Sequence, residues 1–426
     1  MARCLHYRRV VMAISDLVAW ASSGAMLLTG QPGAPPRPEP SGVAVAARAA
    51  ADDVAAMTAR FGKRVDVDGP ALLGERAAIA GFERRGSVSV GGFARFERGA
   101  DGWVVLNLPR RSDLDLLPAL LRATVEPEDW VTTRRLITAL SVDELVARGT
   151  ELGLAIARPN EQPPVASPSR VIARSPVRHP RAGERPLVVD LSALWAGPLA
   201  ASLLLEAGAR VVKVEARDRP DGARSGPRPF FDLLNAGKES VAIDLSAPDE
   251  VAFLFRLLAA ADLVIEASRP RAMANLGVDP VELLERSGTS WVSITGHGRI
   301  EQPGRVGFGD DAAVAGGLWL DGAGPPVFVA DAVADPLTGL AAAASAADVL
   351  ASDHPAFIEV PLVRSAAWAC RPPEQATVEG DDESGWWAML DGERVAVSPP
   401  RGRTPTAHAV PLGSHDAALR AEFAGS

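Results

Sequence analysis

The segment "ADAVADPLTGL", residues 330–340, holds Asp331 and Asp335 four positions apart with no other ionisable side chain. A carboxylate ahead of a helix has two uses. Its oxygens cap the free amides of the first turn, and the positive helix end favours the ionised form, which is the form that attacks an acyl carbon. Asp335 precedes "PLTGLAAAASAADVL", with Pro336 suited to the first helical position, so an N-cap and a nucleophile are both open to it. His297 in "TGHGR" fits a general base, but no Ser, Cys or carboxylate stands at a triad spacing from it, and a structural role is the default. Asp310 and Asp311 in "GFGDDAAVAGG" are adjacent carboxylates without the His or spaced Asp of a metal site, so capping of the next helix is the simpler reading. Arg269 and Arg271 in "EASRPRAMANLG" follow a predicted strand, where anionic ligands bind in open α/β sheets. Lys213 and Lys238, two of the chain's three lysines, read as solvated strand ends.

The elements that must position these residues are legible as period. "LVVDL", "ARVVKVE", "SVAIDL", "ADLVIEAS" and "SWVSITG" are continuous apolar runs separated by helical segments such as "LAASLLLEAG" and "PDEVAFLFRLLAA". Buried strands alternating with helices predict an α/β fold with a doubly wound parallel sheet. The first strand-helix turn lacks GxGxxG, so a dinucleotide-dependent dehydrogenase is poorly supported even though Glu215 ends the second run; an ordinary βαβ unit, with Gly197 and Pro198 punctuating the loop, is the default.

Upstream, "GSVSVGGFARFE" and "DGWVVLNLP" alternate around a turn at Gly99 to Gly102 and predict antiparallel strands. Helices are expected at "DLDLLPALLRAT" and at "SVDELVARGTELG", where Ser141 and Glu144 have capping-box spacing. A smaller α+β domain over residues 46–158 follows, then a linker over 159–185, rich in Pro, Arg and Ser, and a large domain over 186–426. Residues 15–36 and 309–326 echo one another in Asp, small apolar residues, Gly and Pro-Pro.

Composition sets the outer limits. At 426 residues, 47% hydrophobic and 23% charged, the chain can bury a substantial core without disulfides or metals. A net charge of −9 argues against a nucleic acid or an anionic membrane as the main partner. Cys4 and Cys370 are too few for a disulfide scaffold and are expected as reduced thiols in a cytoplasmic protein. The basic-then-apolar start raises a secretory signal, against which Asp16 interrupts the apolar run, and no later stretch is long and apolar enough to span a membrane.

Five blocks in order carry a resemblance: "VVDLSALWAGPLAASLLLEAGARVVKVE", "FFDLLNAGKESVAIDL", "ADLVIEASRPRAMANLGVDPVELLERSGTSWVSITGHG", "GFGDDAAVAGGLWLDGAG" and "VADPLTGLAAAASAADVL". From residue 186 to about 370 the chain resembles the class III CoA-transferase family, of CaiB/BaiF type, which also includes formyl-CoA transferase and α-methylacyl-CoA racemases. The resemblance implies a Rossmann-like large domain and a reaction in which the aspartate matching Asp335 attacks an acyl-CoA thioester, passing through an aspartyl anhydride and an aspartyl-CoA thioester. Asp331 falls before the "ADPLTG" core. Coenzyme A, as substrate thioester and with no metal, is implied to lie along Ala193, Leu194, Trp195 and Ala196, Arg217, Ile243, Ala267, Ser268 and Arg269, and Asn275, with Gly309 and Asp310 closing over it. The chain departs from the family's commoner residues at Ala193, Ala236 and Asn275.

Racemase members place a histidine where this chain has "GFGDD", which points to transfer over epimerisation; a racemase with Asp310 as base, and a non-catalytic CoA-binding subunit, are the alternatives. The partners implied are acyl-CoA and carboxylic acid substrates and a second copy in a homodimer. Family chains place the small domain after the first strands and form interlocked dimers. Here a segment resembling that domain comes first, so residues 1–45 are expected to be the remnant of a lost first copy, packed on the large domain.

Overall fold

Alternating "ARFER" and the apolar run "WVVLN", joined by the turn at Gly99 to Gly102, form a hairpin: β1 (Ala94–Arg98) and β2 (Trp103–Asn107) pair antiparallel, and β3 (Ala155–Ala157) adds beyond β2. The computed structural model describes residues 15–40, 42–176, 185–321, 324–352, 354–371 and 376–424. The start of the chain with Cys4, and residues 177–184 of the expected linker, lie outside the described residues.

The apolar runs form the main sheet. Its strands are β4 (Arg170–Arg174), β5 (Leu187–Leu191), β6 (Arg210–Ala216), β7 (Glu239–Ile243), β8 (Leu263–Glu266), β9 (Ser290–Ser293) and β12 (Ala356–Glu359), after the short pair β10 (Trp319–Leu320) and β11 (Val327–Phe328). The order is β4-β12-β9-β8-β5-β6-β7, all neighbours parallel except β4, which runs antiparallel to β12 at the edge. Chain order thus runs outward from β5 in one direction and from β8 in the other. Alternate residues feed two cores: Val188, Leu263 and Ile265 enter one, Val189, Val264 and Trp291 the other. Burial on both faces is why the runs read as continuous rather than alternating. Within the expected linker, Arg170–Arg174 is strand β4, held by Arg170 to the buried Glu359 of β12 at 2.5 Å.

One face is covered by helices rich in small residues. α1 (Gly42–Phe61) and α3 (Ala196–Glu206) flank α5 (Ala334–Ala351), while α2 (Gly69–Ala80), α4 (Gly309–Ala315) and α6 (Leu362–Ala369) pack around them. Alanine and glycine let the axes approach closely. A β-carbon at Gly339 would sit 2.9 Å from the Ala196 carbonyl oxygen, so that position admits no side chain without movement. The expected remnant and the start of the expected small domain contribute here: Leu17, Trp20, Met26 and much of α1 share a core with α5.

Lys213 and Lys238 correct the sequence reading, because both are fully buried rather than solvated. Lys238 Nζ donates to Asp190 Oδ2 at 2.8 Å and to the Pro198 carbonyl at 3.0 Å. Lys213 Nζ donates to the Ser192 carbonyl at 2.9 Å and lies 2.9 Å from Asp221 Oδ2. Burial opposes the Asp190 charge, but the two ammonium groups prevail and hold its carboxyl below the usual carboxylate range. These pairs fix the loop that follows β5. Replacing Lys238 by Met leaves a buried carboxylate short of its partner and is expected to cost about 3 kcal/mol or more in chemical denaturation.

Candidate active site

The turn before α5 is strained and is held by residues from distant parts of the chain. Ala330 and Ala332 have φ of 51° and 44°, a left-handed conformation that non-glycine residues adopt at a cost. Three contacts impose it. Ala330 N donates to Thr29 Oγ1 at 2.9 Å, Ala332 N donates to Asp310 Oδ1 at 3.0 Å, and the Asp331 carboxylate takes a two-pronged ion pair from Arg76 at 2.9 and 2.5 Å. Asp331 is therefore fully buried and committed to Arg76, and Asp335, one helical turn on, is the carboxylate left with an open side.

Asp335 is not the helix N-cap. The helix begins at Ala334 with Val333 as cap and no capping side chain, so Asp335 stands second in the helix, and no hydrogen bond to its carboxylate occurs among the described residues. It rests against Gly309, the first residue of α4. A methyl group on Gly309 would overlap the Asp335 carboxylate and come within 2.5 Å of the Ala332 carbonyl oxygen, so glycine is what admits the acid.

Asp310 and Asp311 complete an acidic corner. Asp311 Oδ1 accepts from Phe308 N at 2.9 Å and Asn107 Nδ2 at 2.8 Å, which bears out a capping role at the start of α4. His297 Nε2 lies 3.7 Å from Asp311 Oδ2, both side chains buried, so a histidine from "TGHGR" reaches the "GFGDD" block that lacks one. Burial, with the charge of Asp331, pushes Asp310 up to about 7, against the pull of Arg76. Asp335 is likewise pushed up to about 7 by burial, with Arg76 lowering it and Asp310, Asp331 and Asp311 raising it. The helix end was expected to favour the ionised form; desolvation and three like charges outweigh it.

The loops after β5, β6, β7 and β8 leave the parallel sheet from one edge. On the first, Ala193 and Leu194 are exposed, Leu194 has φ 69° and donates its N–H to Asp221, and Ala196 opens α3. Trp195 is buried, edge-on to Phe230 at 5.2 Å and 4.9 Å beneath the Arg76 guanidinium. This contact joins the loop to the acidic corner. Arg217 N donates to the Ile243 carbonyl at 2.8 Å, its guanidinium exposed beyond β6. Glu215, which ends the second apolar run, is paired with Arg224 at 2.8 and 2.6 Å. Ala267 is exposed after β8, Ser268 turns back onto Glu266, and Asn275 ends a short helix on the surface.

Arg269 faces other cations. Burial and the neighbouring Arg271, Arg110 and Arg219 lower its pKa, offset by Asp113, which marks a concentration of positive charge at this sheet edge. Arg110 also lies over the Phe308 ring at 5.8 Å, one residue before the Gly309 against which Asp335 rests. A cavity of about 310 Å³ between residues 31–38 and Val327 is lined by none of these groups. Arg76, Arg110, Thr29 and Asn107 escaped the sequence reading, since a lone residue in an amphipathic or loop segment carries no sign of what lies across the fold. No cluster of metal-ligating residues occurs among the described residues.

Residues 186–386 match the sequence model of CoA-transferase family III. This segment belongs to that family. A stretch of 111 residues is 38% identical to a probable fatty acyl-CoA transferase of Mycobacterium tuberculosis, covering 24% of this chain and 27% of that protein. Another of 99 residues is 40% identical to the human alpha-methylacyl-CoA racemase, covering 23% and 24%. A solved CAIB/BAIF family protein from Brucella suis shares 22% identity at a TM-score of 0.43, covering 51% of this chain and 67% of that one. The chain spans about a quarter of the length of these two curated relatives. Asp335, Asp310 and Gly309 fall inside the family III segment, whereas Arg76, Asn107 and Thr29 fall outside it.

The raised carboxyls make stability depend on pH. Asp310 titrates near 7 folded and near its ordinary 3.8 unfolded, so the folded chain holds the extra proton between those values and stability falls as pH rises through that window. Asp310→Asn keeps an acceptor for Ala332 N and is expected to raise the unfolding free energy by about 2 kcal/mol at pH 8, with little gain at pH 4, in paired denaturation curves.

Proposed function

We propose that the chain transfers coenzyme A between an acyl-CoA and a carboxylic acid, with Asp335 as nucleophile. The observation that carries this is an uncapped carboxylate pressed on Gly309, half-open beside a buried ion pair. The sheet is read as doubly wound and Rossmann-like, with CoA across the edge where β5, β6 and β8 end.

Ionised Asp335 attacks the thioester carbonyl; the carbon–sulfur bond breaks, CoA leaves as thiolate, and an acyl-aspartyl anhydride forms. The thiolate attacks the aspartyl carbonyl, releasing the original acid and leaving an aspartyl-CoA thioester. An acceptor carboxylate attacks that thioester, the carbon–sulfur bond breaks, and CoA thiolate leaves behind a second anhydride between Asp335 and the acceptor; the thiolate then attacks the acceptor's acyl carbon, giving the new acyl-CoA and restoring the Asp335 carboxylate. The anhydrides and the thioester are all open to hydrolysis, so burial serves to exclude water.

The phosphates of CoA are assigned to the basic patch of Arg269, Arg271, Arg110 and Arg219, with Ala193 to Ala196, Arg217, Ile243, Ala267, Ser268 and Asn275 along the edge. Guanidinium groups suit phosphate by fork geometry and fixed charge. Transfer is favoured over epimerisation because Asp310 already accepts from Ala332 N and is buried, which leaves it poorly placed to take a proton from substrate.

Octanoyl-CoA, a medium-chain probe, followed by hydroxylamine, is expected to yield a hydroxamate on the peptide spanning residues 330–340. Asp335→Ala should lose the adduct and reduce transfer at least about a thousandfold. Full transfer by a folded Asp335→Ala protein would end this reading, and binding of acyl-CoA without turnover of any of a broad panel would favour a non-catalytic subunit. Arg269→Ala should raise KM for acyl-CoA by about tenfold with kcat little changed.

A further inference from the structure

We propose that Arg76 is a positioning residue for Asp335, supplied from outside the family III segment, which clamps Asp331 and balances the acidic corner; this rests on the reading of Asp335 as the nucleophile. The geometry is specific. α2 presents Arg76 toward α5 while the neighbouring Glu75 is tied to Arg403 by two bonds of 2.8 Å, so the helix is anchored on both sides. The guanidinium makes its fork with Asp331 and lies over the Trp195 ring, touching the strained turn and the first loop at once.

The groups facing Asp335 explain why one guanidinium matters. Asp310 and Asp311 face it from α4, Asp331 from its own turn and Arg76 from α2, with His297 behind Asp311. Three carboxylates raise the cost of a charge on Asp335, and Arg76 lowers it. The fork does a second job. It holds Asp331 between two left-handed residues and so fixes where the helix starts and where the Asp335 side chain leaves it.

The test needs no substrate. Carbonyl-¹³C aspartate labelling, with the Asp335 signal assigned by its loss in Asp335→Asn, gives the Asp335 titration midpoint directly. Asp331→Asn, which removes a like charge and keeps the shape, should move the midpoint down from the wild-type value. Adding Arg76→Met in that background should move it back up by about one pH unit or more, whereas adding Arg76→Lys should leave it near the single variant. A role limited to packing would give the Met and Lys double variants the same midpoint as Asp331→Asn, and that result would overturn the proposal. Because Asp331→Asn leaves no buried charge unpaired on Asp331, loss of Arg76 is read in a background where folding is less at risk. The titration is independent of the hydroxamate experiment: unmoved midpoints with an intact adduct remove Arg76 alone, and moved midpoints without an adduct remove the transferase reading alone.

Discussion

Four carboxylates crowd into one corner of the fold, and the Arg76 guanidinium is what makes their proximity tolerable. Asp331 takes its fork, Asp311 is spent on Asn107 and the start of α4, and Asp310 holds the amide of Ala332. Each of the three is used in structure, and burial with mutual repulsion raises both Asp310 and Asp335, of which Asp335 makes no such bond among the described residues. A carboxylate in that position ionises near neutrality rather than near 4, which makes it a stronger base and a better nucleophile once charged. The same crowding that costs stability thus raises the affinity of Asp335 for a proton.

The corner depends on pieces distant in sequence. Thr29 and Arg76 hold the strained turn, Asn107 holds Asp311, and Gly309 leaves room for Asp335. All but Gly309 lie ahead of the segment that matches family III. The family III segment of this chain therefore meets its charge balance with residues from its own N-terminal half, and α1 packed along α5 is the interface that brings them there.

Much of this was legible from residues alone where the signal was periodic. Continuous apolar runs gave the parallel strands and the turn at Gly99 to Gly102 gave the β1–β2 hairpin, whereas the residues alone left Asp335 a helix cap and only the family resemblance of "VADPLTG" pointed to it as a nucleophile. Signals that depend on what lies opposite were not legible. Lys213 and Lys238 look like solvated strand ends until Asp190 and Asp221 are seen beside them. "RVIAR" within a Pro-rich stretch looks like linker until β12 offers it an edge. Asp335 looks like a cap because sequence places it before Pro336, while the helix starts a residue earlier and frees it. Helix polarity was the local effect available to a sequence reading, and the tertiary crowding of Asp310, Asp311 and Asp331 reversed its outcome.

The central claim is that the Asp335 carboxylate exchanges an oxygen with the substrates in every cycle. Turnover of an acyl-CoA with an acceptor acid labelled with ¹⁸O in its carboxylate, followed by mass spectrometry of the peptide spanning residues 330–340, tests this directly. The account predicts that one ¹⁸O enters Asp335 as the acceptor is converted to its CoA thioester. Transfer to a labelled acceptor with no ¹⁸O in that peptide would contradict it.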